Sequence, residues 1–114
     1  MRNTHNGFHD AVKVHLHGQT VEVDTKVVDL VVWLNAQPGV STWTSCQGGG
    51  CSREAFIHFC CPHEQVLQQI KEFVSPYGSV EALGEMGYRM EFPDTDTLAR
   101  LNETRFPNSS ISHR

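Results

Sequence analysis

The chain has 114 residues, of which 39% are hydrophobic and 19% are charged, and thirteen acidic against nine basic residues give a formal net charge of −4. A chain of this length forms one domain that buries about two-thirds of its unfolded surface, so it needs no disulfide bonds for stability. Its lysines and arginines are scattered along the chain, which argues against nonspecific nucleic-acid binding, because that binding depends on clustered positive charge.

The first predicted element is a β-hairpin that follows a polar, flexible segment at residues 1–10. Apolar and polar residues alternate on both sides of Gly18-Gln19, a pattern typical of two strands joined by a two-residue turn. This turn places His15 opposite Glu22 on the polar face of the hairpin. His15 and His17 would point to the same side of one strand, but the contact with Glu22 accounts for His15 without a metal.

Three amphipathic stretches predict three helices. The first follows Asp24 or Thr25, either of which has a side-chain oxygen that can accept from first-turn amides. The second begins at Pro62, where the missing amide costs nothing, and the third follows Asp94 or Asp96. Their apolar stripes are Val27, Leu30, Val31 and Leu34, then Val66, Leu67, Ile70, Phe73 and Val74, and finally Leu98 and Leu101.

Further strands are predicted between these helices. Val40–Cys46 and Ala55–Cys60 are rich in β-branched and aromatic residues, and residues 80–92 form a third hairpin. The order strand-strand-helix therefore occurs three times. It predicts an α+β fold: a single domain at residues 11–102, with a mixed, mostly antiparallel sheet, helices on one face, and a flexible C-terminal tail at residues 103–114.

The segment between the third and fourth predicted strands has the residue types of a ligand site. Its glycines allow backbone amides to converge on an anion, and its serine and arginine side chains supply further donors. The expected ligand is a small anion or the anionic moiety of a nucleotide. The alternative is a flexible hairpin loop with incidental cysteines. The candidate ligand-binding residues are Ser45, Cys46, Gly48, Gly49, Gly50, Ser52 and Arg53.

The four cysteines, Cys46, Cys51, Cys60 and Cys61, lack the Cys-x2-Cys spacing of a zinc knuckle. The predicted hairpin places the first two at its loop end and the last two at its opposite end. At about 3.3 Å per residue the two pairs are roughly 20 Å apart, which is too far for one zinc ion. The sequence therefore predicts no metal site, and it identifies neither a cofactor nor a catalytic residue.

The two tryptophans lead to different predictions. Trp43 alternates with Thr42 and Thr44 along a predicted strand, so its side chain is expected in the core. Trp33 falls outside the main apolar stripe of the first helix, where it either covers the side of the helix or contacts a partner. A protein-interaction module without catalysis, such as a homodimer joined through Trp33 and an edge strand, is therefore an alternative to ligand binding.

Residues 34–59 resemble known proteins. A Leu-Asn helix end, a Pro-Gly-aliphatic turn and the motif Thr-x-x-Ser-Cys-x-Gly at Thr42, Ser45, Cys46 and Gly48 resemble small uncharacterised bacterial proteins. The motif is similar, more distantly, to a segment of the wybutosine-synthesis tRNA methyltransferase family. That resemblance implies an α/β fold and S-adenosylmethionine-dependent methyl transfer to a modified guanosine in tRNA.

The apolar runs of the chain bear on its compartment. None approaches the roughly 20 residues of a membrane helix, and the residues after Met1 lack the apolar stretch of a signal peptide. The sequence therefore predicts a cytoplasmic protein with reduced cysteines and no membrane partner.

Overall fold

The computed structural model describes residues 11–48, 54–85 and 87–107, in which strand, strand and helix follow one another three times. A 3₁₀ turn, Thr25–Val27, joins the second strand to the first helix. None of the helices in the described ranges is long and apolar enough to cross a membrane. The elements are β1 (Ala11–Leu16), β2 (Gln19–Asp24), α1 (Val28–Asn35), β3 (Ser41–Cys46), β4 (Ala55–Cys60), α2 (Glu64–Val74), β5 (Ser79–Ala82), β6 (Gly87–Phe92) and α3 (Thr95–Asn102).

This order confirms the predicted α+β class, but the strands form two sheets. β1 and β2 pair only with each other among the described strands, and the remaining four lie in the order β3-β4-β6-β5. Every described pair is antiparallel, so the expected single mixed sheet is replaced by a hairpin packed beside a four-stranded sheet. The flexibility predicted for residues 1–10 and 108–114 concerns residues outside the described ranges.

The turn of the first hairpin lies one residue earlier than predicted. His17 and Gly18 have φ values of 50° and 82°, and two positive φ values give a type I′ turn, whose twist matches that of antiparallel strands. His15 consequently pairs with Thr20, and the predicted pairing with Glu22 is wrong. The prediction assumed that glycine must come first in the turn, whereas a histidine can also adopt the left-handed conformation.

The core lies on the side of the strands that the helices cover. The α1 and α3 stripes are buried as predicted, whereas α2 buries Leu67, Ile70 and Val74 and leaves Val66 and Phe73 partly exposed. Asp94 caps α3 as expected, since its Oδ1 accepts a hydrogen bond from the Thr97 amide at 2.8 Å. Burying a large apolar side chain contributes about 1.5–3 kcal/mol. The largest fully buried sheet residues are Ile57, Phe59, Met90 and Phe92.

Packing continues past the predicted domain boundary at residue 102. The ring of Phe106 lies 5.8 Å from that of Trp33 and 5.1 Å from that of Phe73. The Trp33 Nε1–H donates a hydrogen bond to the Pro107 carbonyl at 2.7 Å. Trp33 is only 6% exposed, so it covers the side of α1 and offers little surface to a partner.

Candidate functional site

The predicted ligand segment starts from a firmly held pair of residues, Gln47 and Gly48, which we call the loop root. The buried Gln47 donates its backbone amide to Asp24 Oδ2 at 3.1 Å. Its side-chain Oε1 accepts from the Lys26 amide at 3.0 Å, and its carbonyl accepts from Thr95 Oγ1 at 2.8 Å. The end of β2, the 3₁₀ turn and the start of α3 therefore all bond to one residue.

Gly48 turns the chain away from the end of β3. Its φ of 82° lies in the left-handed region that favours glycine, and its amide lies 3.5 Å from the Cys46 Sγ atom, to which it donates. Ser45, Cys46 and Gly48 are all buried, so the first part of the predicted site is packed inside the protein. The other candidate ligand residues lie outside the described ranges: Gly49, Gly50, Ser52 and Arg53.

Asp24 bonds to the loop root and does not cap a helix. It precedes the 3₁₀ turn but makes no side-chain capping bond, and the α1 N-cap position is Val27, also without one. The capping predicted for Asp24 or Thr25 is therefore wrong. Asp24 is 0% exposed, and a buried carboxylate is costly unless it accepts hydrogen bonds. Its bond to Gln47 accounts for its position beneath the loop root.

The described cysteines are separated along the β3–β4 hairpin as predicted. Cys46 pairs with Phe56 at the loop end, while Cys60 pairs at the opposite end and is followed by Cys61. Burial raises the pKa of the Cys61 thiol, which disfavours the reactive thiolate. The described ranges contain no group of three or more side chains that could hold a metal ion, and Cys51 lies outside those ranges.

A second group of side chains in mutual contact, which the sequence did not indicate, lies on the sheet face opposite the core. A β-bulge between Thr42 and Thr44 makes Trp43 an additional residue in β3, and this residue is 39% exposed. The predicted core position of Trp43 is wrong because strict alternation holds only where pairing is unbroken. We call this group the ring face, and it consists of Trp43, Phe56, His58 and Arg89.

Direct contacts join the members of the ring face. The ring centroids of Trp43 and His58 are 5.6 Å apart, and those of Phe56 and His58 are 5.1 Å apart. The Arg89 guanidinium carbon lies 4.3 Å from the centre of the Phe56 ring, within the range of a cation–π interaction. Gly87 leaves space for the indole, since a Cβ atom there would lie 3.2 Å from Trp43 Cη2.

Burial and Arg89 both favour the neutral form of His58. The Arg89 Nη1 lies 2.9 Å from His58 Nε2, and because a guanidinium can only donate, this nitrogen is the acceptor of a neutral imidazole. Burial and the positive charge of Arg89 lower the pKa of His58. Arg89 also donates through Nε to Glu91 Oε1 at 2.8 Å, so a fixed pair of opposite charges adjoins the aromatic rings.

A cavity of about 760 Å³ lies between α1, α2 and residues 102–106. Its volume is within the range of small-molecule sites, and neither the loop root nor the ring face contributes to its walls. Most of the wall surface is apolar, although about half of the lining residues carry polar side chains. The lining includes Val32, Trp33, Pro38, Val66 and Phe106, together with Asp29, Gln69, Asn102 and Arg105.

Comparison of the chain with protein-family models, with curated proteins and with solved structures gives no match. The functional argument therefore depends on the residues of this chain. The resemblance of residues 34–59 to the tRNA methyltransferase family stays a prediction.

Proposed function

We propose that the protein binds a small anionic ligand, such as the phosphate of a nucleotide, at the Ser45–Arg53 loop. The observation that supports this proposal is the loop root, where three separate segments bond to Gln47. A loop whose first residues are already fixed loses less conformational entropy when it closes on a ligand. Gly49 and Gly50 supply backbone amides for the anion, and Ser52 and Arg53 add side-chain donors.

An exposed lysine next to the loop root favours an anion in an otherwise acidic protein. Lys26 is exposed and bonds to Gln47 through its backbone amide. In this proposal the buried Ser45 and Cys46 position the loop from beneath, and the later residues contact the ligand.

Titration with inorganic phosphate, followed by NMR, tests the proposal. We expect the amide signals of Gln47 and Gly48 to shift and saturate as phosphate binds beside them. Arg53→Gln should weaken phosphate binding about tenfold or more, because it removes a charge-assisted hydrogen bond. Arg105→Gln, which changes an exposed arginine on the C-terminal segment, is the matched control and should leave the affinity unchanged. Equal losses in the two variants would indicate nonspecific charge attraction and contradict the proposal.

The cytoplasmic location predicted from the sequence is part of the same proposal. Cys60 and Cys61 are adjacent in sequence, and both are free thiols in the structure. Free thiols suit a reducing compartment, where glutathione and thioredoxin keep cysteines reduced. Fractionation of expressing cells, with a thiol-labelling assay of the recovered protein, tests this location.

Two alternatives have direct tests of their own. Methyl transfer is supported by the sequence resemblance alone. Calorimetry tests it, because a methyltransferase should bind S-adenosylmethionine with measurable heat, and the absence of heat would contradict this alternative. A homodimer without catalysis would have to use an edge strand such as β3 or β5, since Trp33 is buried. A constant monomer mass across a light-scattering concentration series excludes the homodimer.

A further inference from the structure

We infer that the cavity between α1, α2 and residues 102–106 binds a short apolar peptide with free termini. The volume of this cavity, about 760 Å³, suits a small organic molecule. None of its described lining residues belongs to the Ser45–Arg53 loop, so the inference goes beyond the proposed function and does not depend on it. Three features of the walls support it: an uncovered apolar side chain, two opposite charges, and a pair of amide side chains.

The apolar part of the cavity combines fixed rings with an uncovered side chain. Trp33 is held by its hydrogen bond to the Pro107 carbonyl and by ring contacts with Phe73 and Phe106. This wall is therefore formed before a ligand arrives, which lowers the cost of ordering it on binding. Beside Trp33 on α1, Val32 lines the cavity and is 44% exposed. An apolar ligand that covers Val32 gains the free energy of removing that surface from water.

Asp29 and Arg105 add opposite charges to the same cavity. Both residues line it and both are exposed, and neither forms an ion pair with another residue of the described ranges. A carboxylate attracts an ammonium group, and a guanidinium binds a carboxylate through two parallel hydrogen bonds. A molecule with one free amino terminus and one free carboxyl terminus matches both charges. A purely anionic or purely cationic amphiphile leaves one of them unmatched.

The separation of these charges indicates the length of the ligand. Asp29 is one helical turn from Trp33, or about 6 Å along the helix axis. The Trp33 ring lies 5.8 Å from the Phe106 ring, and Phe106 directly follows Arg105. The path along the wall from Asp29 to Arg105 is therefore roughly 10 Å. Two or three extended residues, at about 3.5 Å each, cover this distance, whereas a single amino acid does not.

Gln65 and Gln69 favour a peptide over other zwitterions. They lie one helical turn apart on α2, both line the cavity, and both are exposed. An amide side chain carries a donor and an acceptor, and a peptide group carries one of each as well. The wall between the two charges can therefore hydrogen-bond to a peptide backbone, which an alkyl linker could not use.

Calorimetry with the apolar dipeptides Leu-Leu, Phe-Leu and Val-Phe tests the inference. At least one of them should bind more tightly than free leucine, because the amino acid is too short to reach both charges. N-acetylation removes the positive terminus and C-amidation removes the negative one. Each change should weaken binding about two- to fivefold, the range for an exposed ion pair. Added salt should weaken the uncapped dipeptide more than the doubly capped one.

Four variants assign each terminus of the dipeptide to one charge. In Asp29→Asn, N-acetylation of the ligand should no longer change the affinity, whereas C-amidation should still weaken binding. Arg105→Gln should show the reverse pattern. Asp96→Asn and Arg100→Gln are the matched controls, since they change exposed charges of the same types on α3, away from the cavity walls. Both controls should respond to the capped dipeptides as the wild type does. A loss of stability alone would not exchange these sensitivities.

A second pair of variants tests the apolar contact. Val32→Ala should weaken dipeptide binding about three- to tenfold, because it removes apolar surface that the ligand covers. Val12→Ala truncates a valine of nearly equal exposure, 42%, on β1 and should have no effect. In an NMR titration the Val32 methyl signals should shift. The indole Nε1–H signal of Trp43, which lies on the sheet face opposite the core, is the internal control and should not move.

Each contrary result overturns the inference. Dipeptides that show no saturable binding at millimolar concentration would do so, as would equal affinities for the capped and uncapped forms. A shift of the Trp43 signal without a shift at Val32 would place the ligand elsewhere. Nuclear Overhauser contacts between residues 108–114 and the Val32 methyl groups in the free protein would show that the chain fills its own cavity. None of these results bears on the proposed function, whose test follows phosphate at the loop-root amides.

Discussion

Replacing Asp24 by alanine should destabilise the protein by about 2–3 kcal/mol. The substitution removes a fully buried carboxylate that accepts from the Gln47 amide. A hydrogen bond to a charged group contributes about 1.5–3 kcal/mol, and leaving its buried partner unsatisfied costs a similar amount. For a chain of this size, 2–3 kcal/mol corresponds to a decrease in Tm of about 8–12 °C. Thermal and denaturant unfolding monitored by circular dichroism measure this loss.

Three further substitutions separate the loop-root contact from helix capping. Asp24→Ser retains a good capping residue, but its hydroxyl is one bond shorter and should not reach the Gln47 amide, so its stability should be close to that of Asp24→Ala. Asp24→Asn keeps both the length and an acceptor oxygen, and should be intermediate. Asp96→Ala changes an exposed aspartate in the first turn of α3 and should cost less than about 1 kcal/mol.

Amide hydrogen exchange locates the effect. In Asp24→Ala the amides of Gln47 and Gly48 should exchange faster relative to the β4 and β6 amides, because local opening of the loop root becomes easier. The reasoning is refuted if the unfolding free energy of Asp24→Ala lies within about 0.5 kcal/mol of the wild-type value. It is also refuted if Asp24→Ser is as stable as the wild type.

Three other substitutions test separate contacts. Gly78→Ala should lower the unfolding free energy by about 1–3 kcal/mol in a denaturant titration, because the added Cβ would overlap the Glu91 carbonyl oxygen. Gly84→Ala is the control and should change the unfolding free energy little, since the space around Gly84 is open. Trp33→Phe should cost about 1–3 kcal/mol through the lost bond to the Pro107 carbonyl, measured in the same way. Because the pKa of His58 is lowered in the folded protein, this residue is protonated in the unfolded chain first as the pH falls, and stability should decline as the pH falls from about 6.5. His58→Gln should reduce that decline in melting curves recorded at different pH values. An unchanged pH profile would contradict the assignment.

The features that the sequence predicted correctly depend on local periodicity. The α1 stripe, the Asp94 cap and the extent of β4 follow from residues within a turn or a strand of one another, so pattern and structure agree. The separation of Cys46 from Cys60 also followed from sequence, because a hairpin with known strands places its two ends apart regardless of its environment.

The features that the sequence missed depend on pairing between strands and on tertiary contacts. A one-residue shift in the position of the first turn moved His15 from Glu22 to Thr20, and both turns fit the same alternation. The bulge at Trp43 reversed the direction of one side chain in a strand that was otherwise placed correctly. Asp24 has the residue type of a helix cap, but it accepts from a residue 23 positions away.

The same distinction explains why the loop was visible in the sequence and the ring face was not. Glycines, serines and an arginine within nine residues identify a possible anion site by their proximity alone. Phe56, His58 and Arg89 are each ordinary outward residues of an amphipathic strand. They become a group only because β4 pairs with β6 in a register that sets His58 opposite Arg89, while the bulge in β3 brings Trp43 onto the same face. A group of side chains assembled from three strands is specified by register, so the substitutions that probe it most directly change a side chain and leave that register intact.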